Sequence, residues 1–153
     1  MTASDAWPDL AGRLTEFGHV LPVRVYFEDT DFSQMVYHAS YLRFMERGRS
    51  DFMRLVGVGH EALVKGAYGG EALAFAVRRM NLDFLRPARI DDQLEVETRV
   101  AKVGGATLML AQAVLRGVET LVTAEVMIVL ITLAGQPRRL PRDLRQAMRL
   151  PPE

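Results

Sequence analysis

Residues 40–56 read SYLRFMERGRSDFMRLV and repeat with a helical period. The pattern is formed by apolar residues three or four positions apart: Tyr41, Phe44, Met45, Phe52, Leu55 and Val56. Ser40 is a candidate N-cap, and Gly57 and Gly59 end the segment. Gly48 lies inside it, where glycine costs about 1 kcal/mol relative to alanine. A close approach of another backbone explains that glycine best, so we expect one long, deeply packed helix.

Extended segments lie on both sides of this helix. Residues 23–28 (VRVYFE) alternate and predict a strand before it, whereas residues 57–70 hold five glycines and predict mostly loop after it. Four longer strands are expected at residues 73–84, 94–100, 107–116 and 121–133. The alternation changes parity at Arg78-Arg79, which indicates a β-bulge. Gly104-Gly105 is typical of a tight hairpin turn.

The last two strands are apolar on both faces; residues 126–131, for example, read VMIVLI. One helix can cover only one face of a sheet, so a second apolar face indicates contact between subunits. The sequence therefore predicts an α+β fold, in which an antiparallel five-stranded sheet wraps around one long helix. It also predicts a homo-oligomer, either a dimer or a tetramer.

Composition excludes several classes of function. Nineteen basic residues balance nineteen acidic ones, so there is no global attraction to nucleic acid. The chain has no cysteine, which excludes disulfides, thiolate nucleophiles and zinc–sulfur sites, and its three histidines are too far apart in sequence to indicate another zinc site. No apolar run suits a signal peptide or a membrane span, so we expect a cytoplasmic protein.

The chain divides into an N-terminal arm (residues 1–20), one domain (residues 21–136) and a basic C-terminal tail (residues 137–153). Leu140, Leu144 and Met148 place apolar side chains at i, i+4 and i+8 of that tail and predict a short amphipathic helix. Such a helix packs on the sheet or, as the alternative, contacts a membrane surface or an acyl carrier protein.

The stretch from Tyr26 to Tyr41, YFEDTDFSQMVYHASY, joins the first strand to the helix and carries the chemistry. A helix start offers unpaired N–H groups and a partial positive charge, which could stabilise the oxyanion of an attacked carbonyl. A carboxylate from Asp29 or Asp31 could act as base or nucleophile, and His38 could orient substrate or move a proton. The same residues also suit an Asx turn and a structural histidine.

Three segments in this order, YFEDTD at 26–31, VYHASYL at 36–42 and ERGR at 46–49, resemble the 4-hydroxybenzoyl-CoA thioesterase family of hotdog proteins. Within it, the chain is most similar to the bacterial acyl-CoA thioesterases associated with the Tol–Pal system. The resemblance spans residues 22–140. It implies a hotdog fold, oligomers built from dimers, and hydrolysis of acyl-CoA without a cofactor.

The same resemblance assigns the catalytic aspartate to Asp31 and the active-site histidine to His38, with the backbone N–H at 38 polarising the thioester carbonyl. Gln34 replaces a glycine found in many members, so it either narrows the substrate site or donates its amide to substrate. Tyr37 is expected to pack at the substrate-binding site. We expect some of the arginines to bind the phosphates of CoA, for which the planar guanidinium is suited. The candidates are Arg78 and Arg79, with Arg86, Arg89 and the arginines of the C-terminal tail as alternatives.

Three alternatives are weaker. Glu46 could be a base on the helix, as in other hotdog thioesterases, but pairing with Arg43 and Arg49 is the favoured interpretation. A hotdog enoyl-CoA hydratase would have its aspartate and histidine five residues apart around Asn-Pro, and Asp31 and His38 are seven apart with neither. The remaining alternative is a non-catalytic acyl-thioester-binding or cell-envelope scaffold protein.

Overall fold

The computed structural model describes residues 12–151. In chain order the elements are β1 (Arg13–Leu14), β2 (His19–Arg24), a 3₁₀ turn (Phe27–Asp29), α1 (His38–Leu55), α2 (His60–Val64), β3 (Leu73–Phe84), β4 (Gln93–Val103), β5 (Thr107–Arg116), β6 (Glu119–Thr132) and α3 (Arg142–Ala147). The strands form one antiparallel sheet in the order β1-β2-β4-β5-β6-β3. The α+β class is confirmed, and the sheet has six strands instead of five because the two-residue β1 adds an edge.

Helix α1 packs against β2, β4 and β5 and forms the centre of the core. Phe44 and Met45 on its inner face have no exposed surface, and neither have Leu94 and Val96 of β4. Their neighbours on β4, such as Glu95 and Glu97, are exposed, so the strand alternates between buried and exposed residues. No helix in the described part of the chain is long and apolar enough to cross a membrane.

A small polar cluster fixes where α1 crosses the sheet. Gln112 of β5 donates from Nε2 to the carbonyl of Met45 (3.0 Å) and to Thr98 Oγ1 (2.8 Å), and its Oε1 accepts from Arg49 (2.9 Å). A Cβ at Gly48 would lie 2.9 Å from Val96 Cγ1, so the approach at this glycine is close, as predicted, but it is made by side chains of β4 and β5 and not by another backbone.

Two other local predictions are confirmed. The register between β3 and β6 shifts between Val77 and Arg79, which is the predicted bulge. The β4–β5 hairpin turns at Gly104-Gly105 and is closed by a bond from the Gly104 N–H to the Thr107 carbonyl (2.8 Å).

Two predicted boundaries are wrong. The first strand is His19–Arg24, not residues 23–28, because the Tyr26 N–H is taken by the Asp29 carboxylate (2.8 Å) and the chain turns there. Helix α1 begins at His38, and Ser40 is not its N-cap. The segment at 57–70 is mostly loop, as predicted, and contains the five-residue α2.

Both ends of the described chain belong to the packed structure. Residues 13–14 and 19–20, predicted as arm, pair in the sheet; the rest of that arm, residues 1–11, lies outside the described residues. In the predicted tail, α3 forms and its apolar face is buried at Leu140, Leu144 and Met148. Packing on the sheet, the first of the two alternatives, is therefore confirmed for this helix.

The contact at Gly48 gives a stability prediction. Gly48→Ala adds about 1 kcal/mol of helix propensity, but its Cβ overpacks against a stiff valine, which costs about 2–3 kcal/mol, at the upper end of the usual overpacking penalty. We expect a net loss of about 1–2 kcal/mol in the free energy of unfolding, measured by urea denaturation. Arg43→Ala, at an exposed position of the same helix, should be within about 0.5 kcal/mol of the parent. An equal or more stable Gly48→Ala variant would contradict the packing described.

Candidate active site

The loop between β2 and α1 is held from inside by Asp29. This residue is buried, and its carboxylate accepts the Tyr26 N–H at 2.8 Å. Its own carbonyl accepts the Tyr37 N–H (2.9 Å) and the Ser40 hydroxyl (3.1 Å). Asp29 therefore braces the loop against the start of α1, and little of its surface is open to solvent.

Asp31, two residues further on, is exposed and sits in a tight turn. Its N–H donates to the Met35 carbonyl (3.1 Å), and its own carbonyl accepts the Gln34 N–H (3.0 Å). The Oδ1 atom accepts the Ser33 N–H (2.8 Å) and also the Ser33 hydroxyl. The turn presents the Asp31 carboxylate outward, where a substrate and water can reach it.

Local donors keep this carboxyl group ionised. The Ser33 hydroxyl is the main cause that lowers the pKa of Asp31 below its ordinary value, and the Ser33 N–H adds to it. Slight desolvation opposes them, and positive charge on His38 lowers the pKa a little further. Asp31 is therefore a carboxylate at neutral pH, which is the state that a base or a nucleophile requires.

His38 is the first residue of α1 and shares this corner of the molecule with Asp31. Its ring lies between two aromatic rings, with centroids 4.5 Å away at Tyr37 and 6.2 Å away at Phe84. Tyr37 occupies the N-cap position without a capping side-chain bond. The two rings limit the orientations of the His38 imidazole.

The start of α1 supplies hydrogen-bond donors next to Asp31. In any helix the first N–H groups have no acceptor within the helix. Here the Ser40 N–H donates to the Tyr37 carbonyl (2.8 Å), which leaves the N–H groups of His38 and Ala39 as candidate donors. With the partial positive charge of the helix end, they can stabilise an oxygen that becomes negative.

Not every predicted site residue comes to this corner. Arg78 and Arg79 are exposed at the β3 bulge, and about five residues of strand, roughly 17 Å, separate Arg79 from Phe84 beside His38. Within one chain they are therefore distant from Asp31. Glu46 accepts a bond from Ser50 (2.5 Å), not from the predicted arginine partners, and Ser50 also contacts His60 (3.0 Å).

Within residues 12–151 no three His, Cys, Asp or Glu side chains are grouped so that they could hold a metal ion. At this corner the structure places side-chain and backbone groups suited to chemistry on a carbonyl. These are one ionised carboxylate, one imidazole and two helix N–H groups, an arrangement able to attack and polarise a carbonyl.

Comparisons with known proteins identify the family of this chain. Residues 33–123, more than half of the chain, match the family model described as "Thioesterase superfamily". The chain belongs to the thioesterase superfamily. It is 40% identical over 125 residues to the acyl-CoA thioester hydrolase YbgC of Escherichia coli O6:H1, covering 80% of this chain and 90% of that protein. It is 37% identical over 131 residues to the acyl-CoA thioesterase YbgC of Haemophilus influenzae, covering 85% of this chain and 93% of that protein.

A solved structure is similar over the same region. The crystal structure of a probable thioesterase from Bartonella henselae superposes with a TM-score of 0.78 at 49% identity, covering 81% of this thioesterase-superfamily chain and 99% of the other. The predicted family and the hotdog fold are thereby confirmed. The roles of individual residues stay predictions.

Two residues at the site of this thioesterase-superfamily chain were not predicted from the sequence. Ser33 contacts Asp31 by both its N–H and its hydroxyl, and the spacing Asp-Xaa-Ser, typical of a side-chain-closed turn, was a signal for it. Phe84, 50% exposed, lies against both His38 and Tyr41, with ring centroids 6.2 Å and 5.9 Å away. No local pattern marks Phe84, because it reaches the site from a distant strand.

Gln34 has φ = 69°, in the left-handed region that favours glycine. A residue other than glycine loses about 1–2 kcal/mol of folding stability in this conformation. Part of the loss is recovered because its unfolded chain has less conformational entropy than a chain with glycine at this position. We therefore expect Gln34→Gly to leave the free energy of unfolding unchanged or raise it by up to about 1 kcal/mol. Gln34→Val, whose branched Cβ resists this conformation, should lower it by about 1 kcal/mol or more in urea denaturation. Equal stabilities of the glycine and valine variants would contradict a left-handed Gln34.

Proposed function

We propose that this chain is an acyl-CoA thioesterase that hydrolyses a thioester to the free acid and CoA, with Asp31 as base or nucleophile. The observation that carries the proposal is the ionised, outward-facing Asp31 beside His38 and the first N–H groups of α1. The family supports the reaction class, and the names of its YbgC relatives support acyl-CoA as the substrate class.

Two routes lead from this arrangement to hydrolysis. In the first, Asp31 removes a proton from water as the water oxygen attacks the thioester carbonyl. In the second, an Asp31 oxygen attacks the carbonyl itself and water then hydrolyses the mixed anhydride. In both routes the carbonyl oxygen gains negative charge that the His38 and Ala39 N–H groups stabilise, and the C–S bond breaks to release the thiol of CoA.

The same corner has side chains suited to the rest of the substrate. Tyr37 and Phe84 offer aromatic surface next to His38 for an acyl group. Arg89 lies on the segment after β3 that pairs with Met35, so its exposed guanidinium is a candidate for a CoA phosphate. Arg78 and Arg79 would serve this role only at a site completed by another subunit.

A homo-oligomer is part of the proposal. Large apolar side chains surround Asp31 and are open to solvent in the single chain, among them Phe27 (83% exposed) and Phe32 (fully exposed). Edge strand β3 and the half-buried outer faces of β5 and β6 add further apolar surface. Exposed apolar surface of this kind is typical of subunit interfaces, and a second chain here would cover the catalytic loop.

The other candidate roles have less support. The apolar face of α3 is buried, so a membrane contact through the tail would have to use exposed arginines such as Arg142 and Arg149. An acidic acyl carrier protein could use the same arginines. No observation favours the hydratase or the scaffold over hydrolysis, and a cytoplasmic location stays a prediction from the sequence.

The role of Asp31 is tested by substitution. Asp31→Asn removes the base or nucleophile and should lower kcat/KM for thiol release from acyl-CoA by about 10²–10⁴-fold, with the fold intact by circular dichroism. The matched control is Glu28→Gln, an exposed carboxylate in the same loop, which should stay close to the parent. Near-parental turnover of Asp31→Asn, or abolition by Glu46→Gln instead, would defeat the assignment.

The oligomer is tested by light scattering at micromolar concentration, which should give a dimer or a tetramer. Phe27→Ser should weaken assembly and lower turnover together, because Phe27 lies at the exposed apolar surface of the catalytic loop. Phe17→Ser is the control: Phe17 is also exposed (77%) but lines a groove at the other end of α1, formed in part by Leu55 and Val56. A stable parental monomer would refute this part of the proposal.

A further inference from the structure

The turn that contains Asp31 treats the two oxygens of its carboxylate differently. Both donors of Ser33, the N–H at 2.8 Å and the hydroxyl, meet the same oxygen, Oδ1. None of the hydrogen bonds formed within residues 12–151 ends on Oδ2 of this carboxylate. One oxygen is therefore held and the other faces outward.

The Ser33 hydroxyl is itself held in place. It accepts the Met35 N–H (3.3 Å) while it donates to Asp31, and the Met35 carbonyl accepts the Asp31 N–H (3.1 Å). The hydroxyl thus sits at the centre of a closed five-residue turn. A free aspartate side chain rotates broadly about its last torsion, and donors on one oxygen remove that freedom.

We infer that Ser33 is a positioning residue for the hydrolytic reaction, which fixes the Asp31 carboxylate through Oδ1 so that Oδ2 is the oxygen that attacks or removes the proton. This inference rests on the proposed function of Asp31. Within one chain no packing restrains the exposed Asp31 side chain, so the hydrogen bonds of the turn are what hold it there. Ser33 needs no contact with the substrate for this role.

Two consequences separate this role from simple support of the loop. Loss of the hydroxyl frees the carboxylate, so kcat falls while KM changes little, since substrate binding uses other groups. Loss of the hydroxyl also removes the largest cause that lowers the pKa of Asp31. The ionised form is then less favoured, the pKa rises, and the acid limb of the pH–rate profile moves to higher pH.

The test must distinguish the effect of Ser33 on the pKa of Asp31 from the effects of other charged groups nearby. These are His38 on α1, Glu28 and Asp29 on the same loop, and Arg89 on the segment paired with Met35. His38 alone among them contributes to the lowered pKa of Asp31. The pH profiles are therefore measured in the parent and in a His38→Gln background, where a shift caused by Ser33 should persist.

The experiment compares Ser33→Ala with Ser33→Thr, which keeps a hydroxyl, in the full-length protein. For Ser33→Ala we expect kcat about 10-fold lower at neutral pH, KM within about 2-fold, and an acid limb at higher pH. Ser33→Thr should restore most of the rate. Thr30→Val is the matched control, because the Thr30 hydroxyl donates only to the Phe27 carbonyl (2.8 Å) of the same loop.

A titration of the Asp31 carboxyl carbon by NMR measures the same effect without turnover. We expect the carboxyl group to protonate at higher pH in Ser33→Ala than in the parent. An unchanged titration, or unchanged kcat and acid limb in Ser33→Ala, would overturn the inference while the parent enzyme still hydrolyses acyl-CoA. If the parent protein hydrolyses no acyl-CoA, the proposed function is refuted instead. The titration would still decide whether Ser33 holds the Asp31 carboxylate.

Discussion

The buried carboxylate of Asp29 is the constraint on which the geometry of the site depends. It holds the Tyr26 N–H, and the Asp29 carbonyl binds Tyr37 and Ser40 at the start of α1. The loop is thereby closed onto the helix over a short distance. Because Asp29 is turned inward and the chain turns again directly after it, Asp31 faces outward beside the N-terminus of α1. One carboxylate builds the site and the other is free to react.

The position of α1 is fixed in turn by contacts in the core. Gly48 allows the helix to approach β4 closely, and Gln112 binds both the helix backbone and Thr98 of the same strand. A helix fixed at its middle has little freedom at its ends, so the N–H groups at His38 have a defined place relative to the loop. The proposed catalytic site at the surface is thus supported by packing about two to three helical turns away.

Reasoning from residues alone could find the candidate site but not its arrangement. The run from Tyr26 to Tyr41 showed two carboxylates before a helix start, and only the family resemblance distinguished Asp31 from Asp29. The structure gives the physical difference between them, burial with an internal partner against exposure. Arg78 and Arg79 suited phosphate by residue type, but their distance from Asp31 in one chain follows from the course of β3.

The sequence by itself determined the features set by local chemistry: the helical and strand periods, the turn at Gly104-Gly105 and the bulge after Val77. These depend on the conformations of neighbouring residues, so a short window contains their cause. Tertiary structure decided where α1 begins and that Phe84 reaches His38. Both depend on contacts between residues distant in sequence, such as the bond from the Ser40 hydroxyl to the Asp29 carbonyl, and no local pattern encodes them.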